Sequence, residues 1–262
     1  MMPILFACDL DNTLLYSYKH KMNGDICVEM NNGQEQGFMS PKSYEMLYEL
    51  LQRNVFVPIT TRSVEQYRRI TWPQGLEPTY AITTNGAILI KRSEIDEEWL
   101  NDSKKALAPY QSEITRLHTL LSSQDKYIRC RIVDDMYLFA YCKDGVNIED
   151  CVHEHSEKTS LNVIASGRKL YFLPPSITKG MAVRKLKNAL TPMKVVCAGD
   201  SKIDLSMLCE ADIAMTPNIH LGRLINDAEV NICDPGSLFS EFILYQTLEI
   251  LSRCSEKEST EE

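Results

Sequence analysis

Ile4-Leu5-Phe6-Ala7-Cys8 is an unbroken apolar run that stops at a polar stretch beginning with Asp9. Consecutive apolar residues without alternation suit a strand covered on both faces, as inside a parallel sheet flanked by helices. Further on, Ser40-Pro41 reads as a helix start, and Tyr44, Leu47, Tyr48 and Leu51 recur at i, i+3, i+4 and i+7, the apolar stripe of an amphipathic helix. A second buried strand follows at 55–59. Then come a polar turn at Thr60-Thr61-Arg62 with Ser63 as N-cap, a short helix at 64–70, and a third strand at Tyr80–Thr83 ending at Asn85-Gly86. The alternation resumes with a helix at Lys179–Leu190, a strand at Lys194–Ala198, a helix at 203–209 and a strand at 213–215. A closing helix at 237–251 carries Phe239, Phe242, Ile243 and Ile250 on one side.

Between these stretches the pattern changes. Long polar helical runs over 99–121 give way to strand-like runs at 127–133 and 136–142. Residues 16–39 read as a small hairpin flap, with Asn32-Gly33 as the turn. The prediction is an α/β fold: a doubly wound, mostly parallel Rossmann-like sheet from residues 1–86 and 173–262, with an inserted α+β cap domain over 87–172. The acidic tail 255–262 is expected to be disordered.

With 262 residues, 44% of them hydrophobic, the chain can bury a substantial core. A net charge of -8 argues against nucleic acid as the main partner. Nine cysteines, odd in number and without paired metal-ligand spacing, point to reduced thiols. The opening apolar run is too short for a signal segment and no run is long enough to span a bilayer, so a cytoplasmic protein without membrane partners is expected.

Candidate chemistry starts at Asp9-Leu10-Asp11-Asn12-Thr13, directly after the first strand. In an open α/β sheet ligands bind beyond the carboxyl ends of the strands, which would aim these carboxylates into a cleft. An Asp/Asn-rich turn is the competing reading. Thr60 or Thr61 follows the second strand, Lys179 opens a helix, and Gly199-Asp200-Ser201-Lys202-Ile203-Asp204 follows a later strand. Taken singly, Lys179 reads as a solvated lysine and Asp204 as a first-turn carboxylate facing a helix dipole.

Together and in this order, these groups resemble the haloacid dehalogenase superfamily of aspartate-nucleophile phosphatases. Asp9, Asp11 and Thr13 match its DxDxT motif, Thr60 its hydroxyl motif, Lys179 its lysine motif, and Asp200 and Asp204 its GDxxxD motif. The position of the insertion, between Asn85-Gly86-Ala87 and Leu173-Pro174, looks like the branch of Cof-type sugar phosphatases and sucrose-phosphate phosphatases. The resemblance implies a Mg2+-dependent phosphatase for a small phosphate monoester, a sugar phosphate or related metabolite. It makes Asp9 the nucleophile and Asp11 the acid/base, with Thr60 and Lys179 in support. Metal would be held by Asp9, Asp200 and the main-chain carbonyl of Asp11, with Asp204 behind them. Leu10, Thr13, Arg62, Asn85 and Gly86 are the expected substrate-binding positions.

Two departures stand out: Ile203 where such sequences carry Asn, and Thr61 where they carry Gly. Alternatives to a phosphatase are a phosphomutase of the phosphomannomutase type and a non-catalytic sensor. In the cap, Arg129, Arg131, Arg168 and Lys169 are either surface charges or contacts for a second anionic or hydroxyl-rich part of a substrate. His153-Glu154-His155 reads as a solvated loop, and Trp72 and Trp99 as packing residues.

Overall fold

A computed structural model describes residues 3–258. At its centre is a five-stranded parallel sheet in the spatial order Glu229–Ile232, Ile213–Thr216, Lys194–Ala198, Ile4–Cys8 and Phe56–Pro58. Ile4–Cys8 lies in the middle, and alternation along it explains the unbroken apolar run. Ile4, Phe6 and Cys8 enter the core on one face, while Leu5 and Ala7 enter a second core on the other. Helices Pro41–Gln52 and Phe239–Glu258 cover the first face through Leu47, Leu50, Ile243 and Leu244. Helices Lys179–Leu190 and Leu205–Leu208 cover the second through Ala182, Val183, Leu186 and Met207.

The register decides where the site forms. Ile4 pairs with Lys194 and Cys8 with Ala198, so both strands end at the same level. Asp9 leaves one strand, its N–H donating to the Ala198 carbonyl at 2.9 Å, as Gly199-Asp200 leaves the other. The neighbouring strand joins them through Ile59 N–H on the Cys8 carbonyl at 2.8 Å. Ile59 then bridges in parallel to Ile82 in Tyr80–Thr83, which continues antiparallel into Ile88–Lys91 and Glu94–Ile95.

A second, wholly antiparallel sheet has the order Asn162–Ser166, Lys169–Leu173, Tyr137–Cys142, Tyr127–Val133. Leu138, Ala140, Leu170 and Phe172 pack with Ile114, Leu117 and Leu121 of helix Gln111–Ser122 and Cys151 of helix Ile148–Ser156. The cap hairpin turns at Asp134 and Asp135, both left-handed. Asp134 ties this turn to the core by accepting from Val64 N–H at 3.0 Å and the Thr84 hydroxyl at 2.5 Å. The flap is a three-stranded antiparallel sheet of Tyr16–Ser17, Gln34–Met39 and Ile26–Asn31, turning at Asn32 (φ 49°) and Gly33 (φ 76°).

Local signals hold where the chemistry is local. Ser40 accepts from Ser43 N–H at 3.1 Å, and Ser63 forms a capping box with Gln66. The buried stripe of the first helix is Ser43, Leu47, Leu50 and Leu51. Tyr44 and Tyr48 sit at its edge, where the Tyr44 hydroxyl accepts from Gln74 N–H at 3.1 Å. Trp72 packs edge-on to Phe56, and the Trp99 indole N–H donates to the Gly86 carbonyl at 3.0 Å.

Three readings need correction. His153-Glu154-His155 lies in helix Ile148–Ser156, capped by Asn147, and His155 is buried with Nε2 2.7 Å from the Tyr127 hydroxyl. The expected helix over 203–209 is a 3₁₀ turn, Lys202–Asp204, followed by one turn of α-helix, Leu205–Leu208. Of the tail expected to be disordered, 255–258 continue the last helix, and 259–262 lie outside the described residues. All nine cysteines are free. Among the described residues no helix is long and apolar enough to cross a membrane.

Gly180 lets the helix Lys179–Leu190 approach the 199–206 segment. A Cβ there would stand 2.2 Å from the Ser206 carbonyl oxygen, a backbone atom with no room to yield. Gly180→Ala is therefore expected to destabilise the protein by about 1–3 kcal/mol, the usual cost of overpacking, as a lower urea midpoint with an unchanged slope.

Candidate active site

Asp9 and Asp11 flank Leu10, whose side chain is fully buried in the core. The Leu10 carbonyl accepts from Thr13, Leu14 and Leu15 N–H, and Asn12 adopts φ 61°, so the chain curls tightly after the strand. In this curl the amides of Leu10 and Asp11 donate to no protein group among the described residues. Two free N–H groups beside two carboxylates form an anion cradle next to an acidic centre.

Lys179 enters from the opposite side. Thr178 caps its helix by accepting from Met181 N–H at 3.1 Å, and Lys179 is 1% exposed. Its Nζ donates to Asp9 Oδ1 at 2.5 Å and to Asp204 Oδ1 at 2.6 Å. The other Asp204 oxygen accepts from the Ser201 N–H at 3.0 Å and hydroxyl at 2.8 Å, which leaves this buried carboxylate fully engaged. Thr13 donates to Asp200 Oδ1 at 3.2 Å. Carboxylate oxygens of Asp9, Asp200 and Asp204 all lie within 4.8 Å of one another.

One ammonium cannot neutralise three carboxylates. Burial works against charge on Lys179, but Asp204 and Asp9 outweigh it and hold the lysine ionised well above its usual range. Burial pushes Asp9 well above the usual carboxylate range; Lys179 opposes this, and Asp204 and Asp200 add to it. Asp200 is pushed up to about 6, by burial first and then by Asp204. The excess negative charge, carried on hard oxygens, suits a small divalent cation such as Mg2+.

Asp11 lies in a different field. Its carboxylate, 46% exposed, is gripped by Arg62 through Nε at 3.0 Å and Nη2 at 2.8 Å. Burial pushes its pKa up, but Arg62 dominates and brings it down to about 2. Arg62 is positioned by its turn, its N–H donating to Thr60 Oγ1 at 3.1 Å and its carbonyl accepting from Thr84 N–H at 2.8 Å. Glu29 of the flap holds Arg62 at 2.9 Å and Arg69 at 3.3 Å. Sequence reasoning missed Glu29 and Arg69. The strand pairing shifts at Glu29, and such a bulge re-aims a side chain in a way no periodicity reveals.

Two cavities meet here. The smaller, about 30 Å³, is lined by Asp9, Asp11, Thr61, Lys169, Lys179 and Asp200. The larger, about 380 Å³, opens between the Asp11 loop, the flap and the cap sheet. Thr61 lines both cavities, whereas Thr60 is buried with its oxygen accepting from Arg62. Thr13 lines neither and holds Asp200. Asn85 and Gly86 are not brought to these cavities either: Asn85 Nδ2 donates to the Ile177 carbonyl at 3.0 Å, and Gly86 (φ +108°) packs against Thr178. Ile203 borders the small cavity and offers it no polar atom. Arg129, Arg131 and Lys169 line the large one, while Arg168 pairs with Asp144 at 2.6 Å and donates to Tyr141, outside both.

The family model for sucrose-6F-phosphate phosphohydrolase matches residues 2–216. Among solved structures, the sucrose-phosphatase of Synechocystis sp. PCC6803, determined with sucrose and phosphate, aligns with a TM-score of 0.66 at 18% identity, over 95% of this chain and 98% of that one. A trehalose-6-phosphate phosphatase related protein aligns with a TM-score of 0.59 at 15% identity, covering 97% and 99%. A haloacid dehalogenase-like hydrolase from B. subtilis gives 0.58 at 16%, covering 92% and 99%. At such identities these structures establish the fold alone. No curated protein sequence matches the chain.

Lys179→Met would leave Asp9 and Asp204 buried without a counter-charge. We expect a loss of about 3–5 kcal/mol near pH 8, shrinking toward pH 5 as carboxylates take up protons, in urea melts across that range. Asp200 has the opposite sign. Its raised pKa means that, in metal-free protein, its contribution is favourable below about pH 4 and is lost as pH rises through about 6. Asp200→Asn should therefore raise the metal-free Tm above pH 6 by about 3 °C, as about 1 kcal/mol does at this chain length, and leave it unchanged below pH 4.

Proposed function

The chain belongs to the sucrose-6F-phosphate phosphohydrolase family, a haloacid dehalogenase-type group of phosphoric monoester hydrolases, and from that premise we propose that it is a Mg2+-dependent phosphatase acting on a small sugar phosphate or related metabolite through an aspartyl phosphate on Asp9. The observation that carries this reading is the buried Lys179 ammonium between Asp9 and Asp204, with Asp200 in the same cluster.

Asp9 and Asp200, with the Asp11 main-chain carbonyl, are the groups that would hold Mg2+, whose charge would offset the repulsion between a phosphate dianion and a carboxylate nucleophile. Asp204, with both oxygens engaged, keeps Lys179 and the 199–204 loop in position. The free amides of Leu10 and Asp11, the Lys179 ammonium and the Thr60-Thr61 turn surround the transferring oxygens. Asp9 attacks phosphorus, the bond to the alcohol oxygen breaks, and Asp11 delivers a proton to that oxygen. Water then attacks the aspartyl phosphate, Asp11 takes the proton, and phosphate leaves with Asp9 regenerated. The ionised Asp11 that Arg62 favours is the form that serves as base; the acid step requires Arg62 to loosen its bidentate grip.

In this reading 1–86 and 173–262 are the catalytic core and 87–172 the cap, with strand Ile88–Lys91 still paired to the core strand Tyr80–Thr83. Closure of the cap, latched by the Tyr137 hydroxyl on the Thr61 carbonyl at 2.6 Å and by Asp134, keeps bulk water from the phosphoenzyme. Nine free thiols support a reducing, cytoplasmic compartment.

With Mg2+ the protein is expected to release phosphate stoichiometrically from sugar phosphates, without a bisphosphate primer, and to stop when EDTA is added. Asp11→Asn should slow turnover by about 10²–10⁴-fold, and Asp9→Asn should abolish it. Recovery of the trapped phosphoryl group on any residue other than Asp9 would refute the assignment.

A further inference from the structure

The cap sheet turns a charged face toward the reaction centre. Arg131 pairs across the strands with Phe139, Phe139 with Tyr171, Tyr141 with Arg129 and Lys169. Alternation therefore puts Arg129, Arg131, Phe139, Lys169 and Tyr171 on one side, and all five line the 380 Å³ cavity. Across from them stand Arg62 and Arg69.

The balance of charge in this cavity is uneven. Its lining holds five cations, Arg62, Arg69, Arg129, Arg131 and Lys169, and two carboxylates, Asp11 and Glu29. The carboxylates are committed to Arg62 and Arg69. Among the described residues no carboxylate lies within 4 Å of Arg129, Arg131 or Lys169. Arg168, in the turn just before the strand that begins at Lys169, lines neither cavity and does have such a partner in Asp144. Arg131 is held by Gln66 at 2.9 Å, yet its Nε is buried without a hydrogen bond. Arg62, 9% exposed, likewise has Nη1 without an acceptor. In a chain of net charge -8, these cations, with Arg129 and Lys169 exposed and Arg131 half-buried, present a positive face that would attract an entering anion.

We propose that the leaving alcohol of the substrate carries a second anionic group, bound by Arg129, Arg131 and Lys169 with Arg62, so that the substrate class is an acidic sugar phosphate. A second phosphate and a carboxylate share the required chemistry. Arg forks suit both, and the edge-to-face Phe139 and Tyr171 rings, with centroids 5.5 Å apart, offer an apolar wall to the sugar. The small cavity takes the phosphate to be cleaved and the large one the rest of the molecule, with Lys169 lining both. This inference rests on the reading of Asp9 as the reaction centre.

The test compares kcat/KM of the full chain with Mg2+ on paired esters: fructose 1,6-bisphosphate and 6-phosphogluconate against fructose 6-phosphate, glucose 6-phosphate and sucrose 6-phosphate. An acidic ester should be favoured by about tenfold or more, the effect of about 1.4 kcal/mol, mainly through KM. A higher value for the bisphosphate assigns the second anion as phosphate, and a higher value for phosphogluconate assigns it as carboxylate. Arg129→Gln, Arg131→Gln and Lys169→Gln should each lower the acidic-to-neutral ratio, and Arg168→Gln should leave it unchanged. Neutral esters used as well as or better than both acidic ones, or a ratio indifferent to all three substitutions, would overturn the inference while leaving the phosphatase reading intact. If no ester in the panel, nor p-nitrophenyl phosphate, releases phosphate, both fall together.

Discussion

A single buried ammonium organises this molecule. Lys179 stands between Asp9 and Asp204, which leave different strands of the same sheet, and among the described residues it is the cation hydrogen-bonded to both. A buried carboxylate without a counter-charge is expensive, so the fold must bring this lysine close and keep it there. Much of the surrounding structure serves that end: Thr178 starts the helix, Gly180 lets it approach the Ser206 backbone, and Ser201 takes the spare oxygen of Asp204. The compensation is incomplete by design of the charge count, and the residual negative charge shared by Asp9 and Asp200 makes the site receptive to a divalent cation.

Two fields of opposite sign lie side by side. Around Asp9, burial first and then the neighbouring aspartates raise carboxylate pKa values; around Asp11, two residues away, Arg62 outweighs burial and lowers one. Separating the environments of two neighbouring carboxylates is how one pair can serve as nucleophile and proton carrier. Beyond Asp11 the charge becomes positive, along the cap face that carries Arg129 and Arg131. A substrate with negative charge at both ends would lie along this gradient, one end at the acidic, metal-receptive centre and the other at the guanidinium wall.

Much of this was legible in the chain because strand ends, helix starts and caps are local. Ile4–Cys8, Lys179–Leu190 and Lys194–Ala198 could be read from runs and periodicity, and Ser40 and Ser63 from the residues that follow them. Helix Ile148–Ser156 escaped because its buried positions include a histidine, which satisfies its polar atom through Tyr127. Glu29 escaped because a bulge, not a pattern, turned it inward. Asn85 and Gly86 sit at a junction whose constraint comes from Thr178 and Ile177, more than ninety residues away.

The order of residue types along the chain determined the α/β sheet, the placement of carboxylates after its strands and the family resemblance, because each depends on neighbours within a turn or two. Only the tertiary structure decided which of those groups touch. Strand register set Asp9 beside Asp200, helix approach put Lys179 between two aspartates, and the fold of the flap chose Glu29 to hold Arg62. The same distinction applies to the cap: four cations on strand-like segments were visible in the sequence, but only pairing across the sheet turned three of them toward the cavity and gave the fourth a partner outside it. Charge energies depend on distance through the folded medium, and sequence separation carries no information about that distance.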